Sequence, residues 1–490
     1  MTPGRTSLTF GMFVVMLVLA ALDQTILATA LPSIANELHG HARLPWVFSA
    51  YLIASTVVIP LYGKLADIHG SKPLLLGAIG LFLAGSLACG FSSSMTELIV
   101  ARGVQGAGGG GLMTLTMLGV VDLYPVEARG RYQGLLGATY GLSTLFGPLA
   151  GGYLVEHLSW HWTFLINVPP ALIALGVLAA CFRRPPVRHP QPVDYAGAVL
   201  LAALLVSLLL VTRTGPEAVA VAPAWTLWTA AAVFAAAFFA VESRVSHPLL
   251  SLALFRHRGF AAATALSAAT GITLFTAVVF LPLYLQNGLG YSPTVSAWQL
   301  LPVSLGITVA AIVGGRRLRA DGRVRATAVG ACALSAVSFV MLAAVFHFAP
   351  ERVGWMSLCL LPLGVGIGTL FPLVTVVAQF SVPPRMIGVG TSTPIMLRSL
   401  GGALGVAALG ALLADGIARF LASGVPASHS KADPFPDAFA AGIQPVYGVG
   451  ALVCVVMAGV ALFLPERLVR PGVAPDGGHV PAVAPVPARG

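Results

Sequence analysis

The chain contains few charged residues. Only 9% of its 490 residues are Asp, Glu, Lys or Arg, whereas 57% are hydrophobic. A soluble globular protein carries roughly 25% charged residues. The deficit extends over the whole length, which excludes a soluble domain with a single apolar anchor. The composition therefore predicts an all-α, polytopic membrane protein.

The sequence also lacks the residue patterns of several chemical sites. The five cysteines are spread singly through apolar segments, without the CxxC or Cys/His spacing of metal ligands. We find no HExxH motif, no clustered metal ligands, no nucleophile elbow and no GxxxxGK(S/T) motif for ATP. We therefore expect no enzyme, no metal site, no cofactor and no ATP-driven transport.

What the chain has is a series of long apolar runs. A helix needs about 20 apolar residues to cross a bilayer core. Fourteen runs fit, at about 10–31, 47–66, 74–92, 98–121, 133–155, 164–182, 194–212, 224–241, 262–285, 295–314, 326–346, 354–378, 394–415 and 447–464. Their 6+2+6 grouping predicts four regions. These are an N-terminal half (1–185), two extra helices with a linker (186–258), a C-terminal half (259–469) and a disordered cytoplasmic tail (470–490).

The basic residues are distributed unevenly between the predicted loops. Twenty of the 27 Lys and Arg residues fall on the side that contains both termini, and five on the other. Cytoplasmic loops carry the excess of basic residues, so both termini are predicted to be cytoplasmic. The net charge of +10 is spread over separate short loops and does not indicate nucleic-acid binding.

A weak internal repeat relates the two groups of six runs. Segment 63–70 has an echo at 315–322, 252 residues later, and segment 125–130 resembles 383–388. Parallel repeats of this kind are typical of transporters in which two halves surround a site at the membrane midplane.

The segment between the second and third runs reads Gly63-Lys64-Leu65-Ala66-Asp67-Ile68-His69-Gly70-Ser71-Lys72. It resembles the loop motif G-x-L-a-D-r-x-G-r-k of the major facilitator superfamily, although Ile68 and Ser71 replace basic residues. The resemblance implies that Asp67 latches the two halves together at the cytoplasmic side, with Lys72 as its basic partner. Without that role the segment is a tight cytoplasmic turn, in which glycines permit positive φ.

Two further segments resemble motifs of the same superfamily. Arg102-Gly103-Val104-Gln105-Gly106-Ala107-Gly108-Gly109 resembles R-x-x-Q-G-x-G, which implies that Arg102 takes part in proton transfer; a purely structural buried arginine is the alternative. Gly147-Pro148-Leu149-Ala150-Gly151-Gly152 resembles the end of the antiporter motif G-x8-G-x3-G-P-x-x-G-G, with Gly134 at its first position and Ser143 replacing its second glycine. That resemblance implies a helix shaped for export; a Pro/Gly kink is the alternative.

Three more segments resemble the fourteen-helix branch of the superfamily, the drug:proton antiporter-2 family. They are Leu22-Asp23-Gln24-Thr25 with Ala30-Leu31-Pro32, the 160–169 segment with His161 in place of the usual Arg, and 398–405. The resemblance implies the major facilitator fold with 14 transmembrane helices and multidrug efflux across a bacterial inner membrane.

Asp23 places a carboxylate within the first apolar run. A charge at the centre of a membrane helix costs about 2.5–3.5 kcal/mol on insertion scales, so such a residue is retained mainly where it has a function. Desolvation favours its neutral form, which allows proton uptake on one side and release on the other. We predict that Asp23 couples transport to protons. The alternative is a helix brace, paired with Arg102 or Arg398.

The last six runs have no Asp or Glu near their centres, since Asp321 and Asp415 lie by a loop and near a helix end. Members of the family that export divalent cations tend to have additional acids there, so the resemblance implies neutral, monocationic or amphiphilic substrates. Residues that could line the substrate cavity are Gln24, Tyr140, Phe280, Tyr284, Gln286 and Trp298.

Together these features predict a proton-driven exporter of lipophilic or cationic small molecules, such as drugs and antibiotics, that works by alternating access and as a monomer. Two alternatives remain: a specific exporter of an endogenous metabolite or lipid, and a non-transporting receptor or scaffold of the same fold. The presence of both Asp23 and Asp67 argues against the second alternative.

Overall fold

The computed structural model describes residues 3–38, 43–182, 194–211, 224–245, 248, 250, 252–320, 323–423 and 435–467. Within these residues, all regular structure is helical apart from one isolated bridge between Arg323 and Arg467. The predicted tail over 470–490 lies outside the described residues.

The first half contains seven helical segments: α1 Pro3–Glu37, α2 Leu44–His69, α3 Ser71–Gly90, α4 Met95–Leu123, α5 Val126–His157, α6 Trp162–Leu165 and α7 Val168–Cys181. The sixth predicted run comprises α6 and α7, which are separated by Ile166 and Asn167. Pro169 and Pro170 lie in the first turn of α7, where a missing backbone N–H leaves no hydrogen bond unmade.

The extra pair and the second half follow. They comprise α8 Tyr195–Val211, α9 Ala224–Arg244, α10 Arg258–Leu283 with a π-helical turn at Tyr284–Gly288, α11 Pro293–Trp298, α12 Leu301–Ala320, α13 Val324–Phe348, α14 Val353–Phe380, α15 Ile387–Ala422 and α16 Phe435–Ala461. Single 3-10 turns at Leu252–Arg256 and Pro384–Met386 precede α10 and α15.

Each of the fourteen predicted runs coincides with one helix or with two adjoining helices. In the described part of the chain, twelve spans are long and apolar enough to cross a membrane. The α5 segment, which is rich in glycine and begins with several charged residues, is not among them, and the apolar stretch of α8 at Tyr195–Leu208 is short. The all-helical fold is therefore confirmed, whereas the count of fourteen spans is not.

Glycines bring the two halves into contact at one end of the bundle, where α2 packs against α15 and α5 against α12. A Cβ atom on Gly63 would clash with Ser392 and lie 2.7 Å from the carbonyl oxygen of Gly388. A Cβ atom on Gly315 would clash with the carbonyl oxygen of Gly130. The first contact joins Gly63 of segment 63–70 to Gly388 of segment 383–388, and the second joins the equivalent Gly315 to Gly130. The sequence repeat therefore corresponds to two equivalent contacts between the halves.

The two extra helices pack against each other, and α8 also contacts α2 and α15 beside this contact. Asp194 and Glu242 are both buried there, and a Cβ atom on Gly197 would contact both carboxylates. Both carboxylates attract the ammonium group of Lys64 on α2 electrostatically. The extra pair therefore has an electrostatic interaction with the helix that carries Asp67.

Candidate functional site

Asp23 is buried in the first half and accepts hydrogen bonds from three side chains. Arg102 Nη1 donates to Asp23 Oδ2 at 2.6 Å, in an ion pair with neither side chain exposed. Gln105 Nε2 and Asn167 Nδ2 both donate to Asp23 Oδ1, at 2.8 and 3.2 Å. A buried charge requires such partners, because an unpaired one is very costly in an apolar interior. The site therefore joins α1, α4 and the residue before α7.

Arg102 has contacts that do not depend on Asp23. Its Nε donates to the Val47 carbonyl oxygen at 3.1 Å, and its Nη1 also donates to Gln105 Oε1 at 2.7 Å. The guanidinium lies 4.4 Å from the ring centroid of Tyr51, and among the described residues its Nη2 has no acceptor. Neutralising Asp23 would therefore break the ion pair while leaving the guanidinium anchored.

Glycines determine how closely α4 approaches its neighbours. A Cβ atom on Gly106 would clash with the backbone of Tyr51 on α2, and one on Gly85 of α3 would clash with the backbone of Gln105. Small residues permit this close packing of membrane helices. The glycines of the Arg102 motif therefore bring the Val47 carbonyl group and the Tyr51 ring within reach of the guanidinium.

The antiporter-like segment of α5 packs on α1 near Asp23. A Cβ atom on Gly147 would clash with the hydroxyl group of Thr25, two residues after Asp23. Thr25 Oγ1 donates to the Ser143 carbonyl oxygen at 3.1 Å, and the Ser143 hydroxyl donates within its own helix to Thr139 at 2.9 Å. Ser143 therefore fits at a position where the motif has glycine.

The contacts of the remaining residues of that motif do not bear on export. Gly151 is buried, and a Cβ atom on Gly152 would lie in open space. The side chain of Pro148 lies outside the described residues. The export role of this motif remains a prediction.

Asn167 is a partner of Asp23 that the sequence analysis did not single out. The 160–169 segment carries the family resemblance, but nothing in its spacing indicates a contact with Asp23. Trp160 Nε1 donates to Glu37 Oε2 at 2.8 Å, which holds the segment against the end of α1. The signal that could have identified Asn167 is the rarity of amides in apolar runs.

Asp67 bridges the two halves. Its Oδ1 accepts from the backbone N–H of Gly388 at 2.7 Å, and its Oδ2 from that of Val389 at 3.2 Å. These N–H groups belong to the first turn of α15, where they have no partner within the helix and favour a negative charge. Gly70 follows with φ of 81°, a conformation that suits glycine. The latch function of this bridge remains a prediction.

The structure gives Lys72 a partner that differs from the predicted one. Its Nζ donates to the carbonyl oxygen of Ala179 at 2.7 Å, within the first half. Lys72 lies on α3, after the turn at Gly70. Lys64 interacts electrostatically with Asp67.

A small internal cavity lies between the two halves. Its lining includes Met113 and Met117 of α4, Gln133 and Tyr140 of α5, Phe371 of α14 and Arg398 of α15. Tyr140 is the predicted cavity residue that borders it.

The other predicted cavity residues lie elsewhere. Phe280 and Tyr284 are buried in the hydrophobic core, half of Trp298 is exposed, and Gln24 and Gln286 are partly exposed. Contact of substrate with these five residues remains a prediction.

Comparison with known proteins identifies the family. The model of the Major Facilitator Superfamily matches residues 13–406. The chain belongs to the major facilitator superfamily. It is 33% identical to the multidrug transporter protein MdtP of Bacillus subtilis, over 84% of this chain and 75% of that protein. It is 32% identical to multidrug resistance protein 3 of the same organism, over 80% and 77%.

The solved structure of the proton:xylose symporter XylE aligns with a TM-score of 0.64 at 16% identity, covering 96% of this chain and 98% of that chain. At this identity the likeness shows the fold alone. The predicted major facilitator fold and the resemblance to multidrug efflux proteins are confirmed. As a member of this superfamily, the chain is a multi-pass membrane transporter of small molecules and not an enzyme.

Proposed function

We propose that this major facilitator is a proton-driven exporter of lipophilic small molecules that carry at most one charge, with Asp23 as the proton-binding group. The observation that carries the proposal is the buried ion pair between Asp23 and Arg102. A purely structural brace would not need it, because replacing a buried ion pair by well-packed apolar residues is often neutral or stabilising. The two Bacillus relatives, named as a multidrug transporter and a multidrug resistance protein, support drug export as the function.

We place both termini, and with them the Asp67 end of the bundle, on the cytoplasmic side of a bacterial inner membrane. The distribution of basic residues supports this orientation. The contacts Gly63–Gly388 and Gly130–Gly315 then close the cavity toward the cytoplasm. Rocking of the two halves would open it to each side in turn, as in other transporters built from repeats. We further propose that all fourteen helices span the membrane and that the chain works as a monomer.

Protonation of Asp23 changes how firmly α1 is held against its neighbours. The bonds of its carboxylate join α1 to α4 and to the segment before α7. A neutral Asp23 loses the attraction of Arg102, which loosens α1 against α4. One proton moving down 100 mV supplies about 2.3 kcal/mol, enough for roughly 50-fold accumulation of an uncharged substrate.

The test is gradient-driven uptake into proteoliposomes with an acidic interior. The probes are ethidium, 2-naphthalenesulfonamide and 2-naphthalenesulfonate, which are cationic, neutral and anionic. Wild type is compared with Asp23→Asn and with Glu156→Gln, which changes an exposed carboxylate on α5. We expect wild type and Glu156→Gln to accumulate at least one probe, and Asp23→Asn to lose accumulation while it still exchanges the probe without a gradient.

Accumulation by Asp23→Asn at the wild-type rate would assign Asp23 a bracing role and refute the coupling mechanism. If wild type moves none of the three probes, multidrug export is refuted, and a specific exporter of an endogenous metabolite or lipid becomes the better assignment.

A further inference from the structure

Arg398 places a second positive charge near the middle of the membrane. It lies eleven residues after the start of α15 at Ile387. At 1.5 Å per residue that is roughly 16 Å, about half the thickness of a ~30 Å hydrocarbon core. Its guanidinium lies 4.5 Å from the ring centroid of Phe371 and 5.9 Å from that of Tyr140, and it borders the cavity between the halves.

In the part of the chain that the structure describes, no carboxylate pairs with this charge. Of the 17 acidic residues in the sequence, Asp23 alone lies near the middle of an apolar run, and it is bound to Arg102. Among the described residues, the side chain of Arg398 takes part in no ion pair or hydrogen bond, and its guanidinium contacts aromatic rings. Near the membrane midplane, the described part of the bundle therefore holds one surplus positive charge, at the cavity wall.

The cavity offers Arg398 the surroundings of a ligand-binding group. Its guanidinium stacks on Phe371, which leaves its N–H donors for an acceptor that enters the cavity. This planar fork matches the paired oxygens of a carboxylate or sulfonate. At the same wall Gln133 Nε2 donates to the Met117 carbonyl oxygen at 2.9 Å, and its buried Oε1, an acceptor without a donor among the described residues, suits an N–H or O–H group of the substrate and not its acidic group.

We propose that Arg398 binds the acidic group of the substrate, and that the cavity, whose volume is about 20 Å³ in this closed arrangement, widens when the halves separate and takes amphiphilic aromatic anions in preference to cations. This inference rests on the proposed export function. The aromatic part of the substrate packs against Met113 and Met117, whose flexible side chains adapt to different shapes. A cation would face an uncompensated guanidinium in a medium of low dielectric constant, where like charges repel strongly.

The inference differs from the sequence-based expectation of neutral or monocationic substrates. That expectation counted only the missing carboxylates of the last six runs and left Arg398 out of the charge balance. With Arg398 included, the absence of acids in the second half favours anions.

The test is equilibrium binding to the purified full chain in detergent, with three probes that share one ring system: 2-naphthalenesulfonate, 2-naphthalenesulfonamide and 2-naphthyltrimethylammonium. We expect wild type to bind the sulfonate at least about tenfold more tightly than the ammonium, as for a hydrogen bond to a charged group. Arg398→Gln should weaken sulfonate binding about tenfold or more and leave sulfonamide binding within about twofold, and Arg398→Lys should retain part of the preference.

Equal binding of the two ions by wild type overturns the inference, as does unchanged sulfonate binding in Arg398→Gln or no binding of any probe. If Arg398→Gln fails to fold, the proposal is still tested by the relative binding of sulfonate and ammonium to wild type and by the binding preference of Arg398→Lys. Binding requires no gradient, so the two proposals fail separately. Proton-driven uptake without a preference for the anion refutes the inference alone, and selective sulfonate binding without driven uptake refutes the proposed export function.

Discussion

Replacing Asp67 by alanine tests whether the bridge between the halves is a latch. Asp67 accepts from two N–H groups at the start of α15 in the closed arrangement. When the halves separate at this end, water replaces those bonds. The substitution therefore removes free energy from the closed arrangement and little from the open one.

The magnitude follows from the two bonds. A hydrogen bond to a charged group contributes about 1.5–3 kcal/mol. The bond to Gly388 is 2.7 Å long, whereas the bond to Val389 is 3.2 Å and weaker. We therefore expect a loss of about 2–3 kcal/mol for the pair, which shifts the ratio of closed to open molecules about 30- to 150-fold. Asp67→Asn keeps one acceptor oxygen without the charge and should shift the ratio by about tenfold or less.

The assay uses the reactivity of a buried position at the contact. Ser392 is fully buried against Gly63, so Ser392→Cys in every variant reports opening at this end. The rate of N-ethylmaleimide labelling is measured at position 392 by mass spectrometry. Native Cys89, which is buried in the first half, serves as an internal control for unfolding.

The matched control is Asp415→Ala, which removes an exposed carboxylate paired with Arg419 on the same helix. We expect labelling at 392 to rise in Asp67→Ala and to stay constant in Asp415→Ala, with Cys89 unreactive in both. If Asp67→Ala labels no faster than Asp415→Ala, the bridge contributes nothing to closure and the latch prediction is refuted.

Two further substitutions examine the same contact. Gly63→Ala should prevent the close approach of α2 to α15, because its methyl group would clash with Ser392, and transport should fall at least about tenfold. The control Gly77→Ala should transport normally, because a Cβ atom there meets open space. Equal transport rates in the two variants would refute the steric argument. Glu242→Gln removes one of the charges that attract Lys64 and should raise labelling at Ser392→Cys about two- to fivefold, as expected for a modest ion-pair contribution. Labelling no faster than in Glu156→Gln would show that the extra helices do not support the latch.

The sequence predicted the helices well because length and apolar composition suffice to locate them. It also identified Asp23, because a carboxylate stands out in an apolar run, whereas Arg102 and Gln105 were identified by the resemblance of their segment to a motif of the major facilitator superfamily. It did not identify which residues meet. Asn167 contacts Asp23 from 144 positions away, and the motif left both Arg102 and Arg398 open as partners of Asp23.

The sequence does not predict these contacts because of the apolar composition of the helices. In a soluble protein, an apolar stripe shows which face of a helix is buried. Here most helices are apolar on all sides, so the sequence does not determine their rotation. Side-chain direction then depends on close glycine contacts, such as Gly106 against Tyr51, which appear only in three dimensions. For the same reason, the aromatic residues Phe280 and Tyr284, chosen from composition, lie in the core and not at the cavity between the halves.

The charge of the substrate determines how far a single carboxylate can drive export. Exchange of one proton for a monocation moves no net charge, so the membrane potential contributes nothing. Exchange of one proton for a neutral molecule moves one charge, and exchange for an anion moves two, which yields about 4.6 kcal/mol at 100 mV. Under the proposed coupling of one proton at Asp23, which is paired with Arg102, the protein therefore gains most from anionic substrates. The proposed roles of Arg398 in binding and of Asp23 in energy coupling thus favour the same class of substrate.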